Sequence, residues 1–220
     1  MTNPLVILCP GQGAQVVGMG KAWHDASPEA RAVFQAADRQ LGSRLGAPLS
    51  ELCFAGPPDR LNKTDVSQPA IFVASLAALE QFKAAHADAE VVAAAGLSLG
   101  EYTALVYSGA MSFDDGLAVV KARGEAMQAA AVATPSGMVA VLGLDAAEVE
   151  ALVADARPAG TLEVANYLCP GNTVASGVLP ALDRLEQLCQ ERGGIRTARL
   201  AVAGAFHTTL MKPADAALAA

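Results

Sequence analysis

Lysine and arginine are scarce in this sequence, 15 residues against 22 aspartates and glutamates, and the net charge is −7. That balance excludes a general nucleic-acid binder, because phosphate backbones are held by clustered cations. Cysteines number four, Cys9, Cys53, Cys169 and Cys189, with no CxxC spacing and no histidine at metal-ligand distance along the chain. No structural zinc or other metal site is expected from them. No uninterrupted apolar run approaches the ~18 residues of a membrane span, so a membrane partner is not expected either. Met1 to Pro4 carries no positive leader region, and Leu5 to Cys9 is too short for a signal core. A reducing cytoplasm with free thiols is the expected setting. Charged residues make up only 17% of the 220, hydrophobic ones 53%, which excludes a disordered chain.

What is present alternates between two periods. Leu5 to Cys9, ended by Pro10-Gly11, reads as a strand buried on both faces, as in a parallel sheet. Ser27-Pro28 opens a helix that Gly42 closes, and a second helix covers about Gln68 to His86. Val91 to Ala95 reads as strand, Glu101 to Ser108 as helix, and Ser112 caps a helix through Ala131. Strand–helix alternation predicts an α/β architecture with a mainly parallel sheet. After Pro135 the order becomes strand at Met138–Leu144, helix at Ala146–Ala156, and strands at Glu163–Ala165 and Asn172–Ala175. A helix at Ala181–Arg192 and a strand at Ile195–Val202 complete it. This βαββαβ order is that of a ferredoxin-like unit, placed at 135–200. The large subdomain would then comprise 1–134 and 201–220.

Gly96-Leu97-Ser98-Leu99-Gly100 matches G-x-S-x-G between a strand and a helix, the setting in which that motif exposes a nucleophilic serine. Ser98 is the expected nucleophile, lying at a helix N-terminus; a glycine pair at an ordinary tight turn is the alternative. A serine needs a base, and the chain has three histidines. His86 reads as a solvated helix-terminal imidazole and His24 as a structural residue in a loop-like stretch. His207, in Gly204-Ala205-Phe206-His207 just after the last strand, is the expected base. The loop Pro10-Gly11-Gln12-Gly13 fails as a dinucleotide fingerprint, because a glycine would be needed where Val16 stands. It suits a close-approach loop whose N–H groups face a developing oxyanion. Arg123 has Val119, Val120, Ala126 and Met127 at helical neighbour spacing. A guanidinium in an apolar stripe calls for a bidentate carboxylate partner, although a snorkelling arginine fits the same pattern.

Together these pieces resemble the malonyl-CoA:acyl carrier protein transacylase family. The matching stretches are Pro10-Gly11-Gln12-Gly13-Ala14-Gln15, Gly96-Leu97-Ser98-Leu99-Gly100-Glu101-Tyr102, Arg123-Gly124-Glu125-Ala126-Met127-Gln128 and Gly204-Ala205-Phe206-His207. The resemblance implies a parallel-sheet α/β-hydrolase-like large subdomain with an inserted ferredoxin-like small subdomain. It implies transfer of a malonyl group from malonyl-CoA, through a malonyl-serine on Ser98, to the phosphopantetheine thiol of acyl carrier protein in fatty acid or polyketide biosynthesis. His207 would be the base, and the backbone N–H groups of Gln12 and Leu99 the oxyanion hole. Arg123 would hold the malonyl carboxylate, and Phe206 would limit space for a branched acyl group. No metal or bound cofactor is implied; malonyl-CoA is a substrate.

Three features depart from the family pattern. Leu97 stands where the family has histidine. Asn166-Tyr167-Leu168-Cys169-Pro170-Gly171-Asn172 replaces an Asn-x-Asn-x-Pro-x-Gln stretch. The sequence stops soon after Met211-Lys212-Pro213, where family members continue, so the C-terminal part of the large subdomain is expected to be missing. A serine thioesterase or hydrolase, or a non-catalytic module that binds carrier protein, are the competing functions. For docking an acidic carrier, Arg192, Arg196, Arg199 and Lys212 are the candidate cations.

Overall fold

Strand β1 (Leu5–Cys9) and strand β2 (Val91–Gly96) pair in parallel, with Val6 opposite Ala93 and Cys9 opposite Gly96. They belong to a computed structural model that describes residues 4–219. Met1 to Asn3, the positions read as lacking a leader, lie outside the described residues. The fold is mixed α/β and divides into two compact units, Met1–Glu125 and Ala126–Ala220.

The first unit adds to its two strands the helices α1 (Lys21–Ala26), α2 (Pro28–Leu41), α3 (Leu49–Ala55), α4 (Pro58–Leu61), α5 (Thr64–Ala85) and α6 (Leu99–Tyr107), of which α6 packs on both strands. Helix α7 (Phe113–Ala133) contains the division between the units. The local signals act as expected at three ends. The Ala30 N–H donates to Ser27 Oγ at 3.2 Å with Pro28 at the first helical position, and Gly42 closes α2 at φ 56°. The Asp115 N–H donates to Ser112 Oγ at 3.1 Å, capping α7. Helix α5 is buried nearly all round from Thr64 to Ala77, as a helix without a polar stripe must be.

Two expectations need correction here. β1 is paired in parallel but is not buried on both faces: Val6 is 55% and Leu8 77% exposed, and only Cys9 is buried. In a two-stranded sheet each strand has one neighbour, so an apolar run has less to pack against than in a wider sheet. An apolar groove of about 400 Å³ lies beside these strands, lined by residues including Leu8, Val16, Trp23 and Ile71. The stretch around His24 is helix α1 rather than loop. Helices α3 and α4, of 7 and 4 residues, are too short to show a period and went unread. Helix α5 begins four residues before the expected Gln68, with Pro69 inside its second turn.

The second unit contains β3 (Ser136–Leu142), α8 (Ala146–Ala156), β4 (Leu162–Cys169), β5 (Asn172–Val178), α9 (Leu179–Glu191), β6 (Arg196–Arg199) and α10 (Lys212–Leu218). Its sheet has the order β4-β5-β3-β6, every neighbour antiparallel. Period-two alternation sorts β3 between two cores. Val139 and Val141 pack with Val149, Leu152 and Leu185 of the helices, while Met138 and Ala140 join Met127, Phe206 and Met211. Both faces of β3 are therefore covered, which is why its sequence is a continuous apolar run. Residues 201–219 belong to this second unit.

Candidate active site

The turn between β2 and α6 is built by glycines that leave no room for a side chain. A Cβ on Gly96 would strike the Gly100 backbone, and one on Gly100 would strike the Cys9 carbonyl. The tight turn forces Ser98 to φ 51°, a conformation that costs a non-glycine residue ~1–3 kcal/mol. Ser98 sits at the N-cap of α6, where the first N–H groups of the helix have no intrahelical acceptor. The Pro10–Gly13 loop lies against the same turn. A Cβ on Gly11 would come within 2.7 Å of the Leu97 carbonyl, and the Leu97 N–H donates to the Cys9 carbonyl at 3.2 Å. Gln12 and Leu99 thus flank the Ser98 turn within one unit.

Arg123 reaches this serine. Its Nη2 donates to Ser98 Oγ at 2.9 Å and its Nη1 donates to Gln68 Oε1 at 2.8 Å. Its guanidinium also stands 5.7 Å from the Tyr102 ring centroid, within cation–π range. The helix carrying it can approach α5 because its neighbour is Gly124, where a Cβ would come within 2.9 Å of the Thr64 carbonyl. Among the hydrogen bonds described, those of Arg123 are to an amide oxygen and a hydroxyl.

A further set of polar bonds fixes the glycine loop. Gln12 Nε2 donates to Thr64 Oγ1 at 3.3 Å, Gln15 Nε2 donates to Asn62 Oδ1 at 3.0 Å, and the Gly13 N–H donates to Gln15 Oε1 at 2.8 Å. Thr64 and Gln68, both 0% exposed, were not singled out from the sequence. The available signal was a glutamine inside an otherwise apolar helix, obscured because Gln68-Pro69 reads as a helix start.

Two of the cysteines are poor nucleophiles. Burial raises the pKa of the Cys9 thiol, and burial together with the charge of Asp38 pushes Cys53 up to about 12, so both stay protonated at neutral pH. His207 and Phe206 stand in the second unit. His207 has φ 60° and is exposed, whereas Phe206 is buried among Met127, Met138 and Met211. Their turn is held by Thr208 Oγ1, which donates to the Ala205 carbonyl at 2.7 Å, and by the Ala205 N–H, which donates to Ser136 Oγ at 3.0 Å.

The remaining histidines contact aromatic rings. His24 packs on Phe34 and Phe54 with its Nδ1 3.1 Å from Asp25, and His86 ends α5 against Phe82. Leu97 is exposed, and Asn172 Oδ1 is buried without a hydrogen-bond partner. Of the four candidate cations for docking, Arg192 pairs with Asp155 and Arg199 with Asp183 and Glu186. Arg196 and Lys212 are exposed. Among the described residues no group of three or more His, Cys, Asp or Glu could hold a metal ion, and no helix is long and apolar enough to cross a membrane.

The sequence pattern of the acyl transferase domain matches residues 6–220. The chain belongs to this family. Among its relatives, the mouse mitochondrial malonyl-CoA-acyl carrier protein transacylase is 46% identical over 95% of this chain and 56% of its own length. The crystal structure of a malonyl CoA-acyl carrier protein transacylase from Clostridium perfringens superimposes with TM-score 0.87 at 40% identity, covering 98% of this chain and 66% of that one. A malonyl-transacylase solved in complex with a type II polyketide acyl-carrier protein matches with TM-score 0.88 at 33% identity, covering 99% of this chain and 69% of that one. This chain thus spans between 56% and 69% of the length of these relatives.

Proposed function

We propose that this chain carries the acyl-transfer chemistry of a malonyl-CoA:acyl carrier protein S-malonyltransferase, serving fatty acid or polyketide synthesis. One observation carries the proposal: a serine held at φ 51° on a helix N-terminus, with the guanidinium of Arg123 donating to its Oγ at 2.9 Å. A simple hydrolase needs the serine, but not a cation at bonding distance from it. A cation there suits an acyl group that ends in a carboxylate, which a guanidinium meets in bidentate geometry. The names of the relatives support the same substrate and the same carrier partner.

The steps assign each group one task. His207 takes the Ser98 proton as Oγ attacks the malonyl thioester carbon. The oxyanion forms between the N–H groups of Gln12 and Leu99. The carbon–sulfur bond then breaks, and the coenzyme A thiolate leaves with the proton from His207. In the second half the phosphopantetheine thiol gives its proton to His207 and attacks the malonyl ester. Ser98 recovers its proton as the carrier thioester is released. Arg123 holds the distal carboxylate throughout, and Phe206 limits branched acyl groups by bulk, a discrimination worth only ~1–3 kcal/mol per methyl. No bound cofactor takes part.

The fold is part of the proposal. Segments 1–134 and 201–220 are assigned to an α/β-hydrolase-like subdomain; the parallel β1–β2 pair and its serine turn support this for the N-terminal segment, while 201–219 group with the second compact unit. Residues 135–200 are assigned to a ferredoxin-like unit, supported by the βαββαβ order and the β4-β5-β3-β6 sheet. A reducing compartment such as the cytoplasm suits the four unpaired cysteines.

The test is intact-protein mass spectrometry after mixing the chain with malonyl-CoA, beside Ser98→Ala. A malonyl adduct on the parent alone is expected. An unmodified parent, shown to be folded by circular dichroism, would overturn the proposal.

A further inference from the structure

Thr64 and Gln68 lie four residues apart on α5, so their side chains share one helical face. Both residues are wholly buried. A buried side-chain amide or hydroxyl is costly unless it is bonded, so polar residues at such positions call for partners. Two partners described here belong to the serine site. Thr64 Oγ1 accepts from Gln12 Nε2 at 3.3 Å, and Gln68 Oε1 accepts from Arg123 Nη1 at 2.8 Å. The guanidinium has a second bond, to Ser98 Oγ at 2.9 Å. One face of one buried helix therefore holds both the loop beside the Ser98 turn and the cation above it.

We infer that this face of α5 is a positioning rail with two separable effects: Gln68 aims Arg123 and so sets the preference for acyl groups ending in a carboxylate, while Thr64 seats the Gln12 loop and so sets the rate for any acyl group. The inference rests on the role proposed for Arg123. Its physical logic is preorganisation. A long arginine side chain free to choose among rotamers must be ordered when the acyl group binds, whereas one already bonded through Nη1 presents its fork in advance. A neutral amide suits this task because it accepts one hydrogen bond without neutralising the cation. A carboxylate in the same place would occupy the guanidinium itself. The Gln12 loop carries no net charge to offer an acyl chain, so its seating cannot distinguish malonyl from acetyl groups.

The experiment times serine acylation by intact-protein mass spectrometry, with malonyl-CoA and acetyl-CoA as separate donors. Gln68→Glu is nearly isosteric and tests electrostatics rather than volume. It should slow malonyl acylation at least about tenfold more than acetyl acylation, the scale of one lost charge-assisted hydrogen bond. Gln68→Ala should lower the same malonyl-to-acetyl ratio to a smaller extent. Thr64→Val should slow both donors by one common factor and leave the ratio where it was. A ratio unchanged in Gln68→Glu, or equal losses with both donors, overturns the role of Gln68; a ratio altered by Thr64→Val overturns the division of labour. Arg123→Ala in the same assay separates this inference from the function beneath it. If Arg123→Ala removes the malonyl preference and Gln68→Glu does not, the rail alone fails. If Arg123→Ala keeps the preference, or the parent takes no malonyl group, both fail.

Discussion

Each of the two units holds one non-glycine residue at left-handed φ among those described, Ser98 in the first and His207 in the second, but they are held there differently. Around Ser98 the restraint is backbone against backbone: Gly96 on Gly100, Gly100 on Cys9, Gly11 on Leu97. Around His207 it is made by side chains, with Thr208 and Ser136 hydrogen-bonding Ala205 and Phe206 buried in a core of methionines. Backbone contacts cannot relax one group at a time, whereas side-chain bonds can be removed singly. The first turn should therefore fail all at once and the second by degrees. Strain at two such places, and at no other described non-glycine residue, supports the roles proposed for Ser98 and His207.

The largest expected effect follows from that contrast. Gly96→Ala places a methyl group inside the Gly100 backbone. It should cost more than ~4 kcal/mol and abolish serine acylation, because neither backbone segment can move without the other. Gly137→Ala in the second unit is the control, since a Cβ there would rest 3.5 Å from Leu182 Cδ1, an ordinary contact. Chemical denaturation of the two variants checks the pair. Similar midpoints would mean that the elbow is not backbone-locked.

The same contrast explains what could be read without coordinates. The G-x-S-x-G turn was legible because its glycines are needed for steric reasons, and sterics leave a mark on sequence. The βαββαβ order was legible because its strands and helices are encoded by neighbours in the chain, as are the caps of α2 and α7. Gln68 was not, because its meaning comes from Arg123, 55 residues away. Burial of β1 was misread for a related reason: an apolar run states that a strand wants cover and not how many neighbours supply it. Helices α3 and α4 were missed because 7 and 4 residues cannot complete enough turns to show a period.

An intermediate effect is expected from loosening the histidine turn. Ser136→Ala leaves the part-buried Ala205 N–H without its acceptor and should cost about 1–2 kcal/mol. If the turn positions His207, acylation by malonyl-CoA should slow without any change in the malonyl-to-acetyl ratio. A loss of stability with no loss of rate would detach Ser136 from the site.

Relief of strain should be smaller but carries a clear sign. Ser98→Gly and Ser98→Ala both remove the nucleophile, and only glycine accepts φ 51° without penalty. The glycine variant should be about 1 kcal/mol more stable than the alanine variant, after allowing for glycine's greater unfolded-state entropy. His207→Gly against His207→Ala should repeat the difference. Thermal unfolding of the four proteins decides it. An alanine variant more stable than its glycine counterpart at either position would mean that the turn is not strained there.

The smallest effect is expected at Arg199, and its size matters for where a carrier protein could dock. Arg199 Nη2 lies 2.6 Å from Asp183 and 2.7 Å from Glu186, with the arginine side chain still 37% exposed. Exposed pairs of this kind contribute ~0–1 kcal/mol, because water and salt screen them. Arg199→Ala should therefore shift stability by less than ~1 kcal/mol. With its charge already balanced by two carboxylates, Arg199 offers little field to an acidic partner, and transfer from malonyl-Ser98 to a carrier protein should be nearly unchanged. Arg196 and Lys212 have no such acidic neighbours among the ion pairs described. Arg196→Glu should slow carrier transfer, more at low ionic strength than at high, while leaving acylation by malonyl-CoA alone. Stopped-flow transfer measured at two salt concentrations distinguishes the residues. If Arg199→Ala slows transfer as much as Arg196→Glu does, charge balance within the second unit does not govern docking.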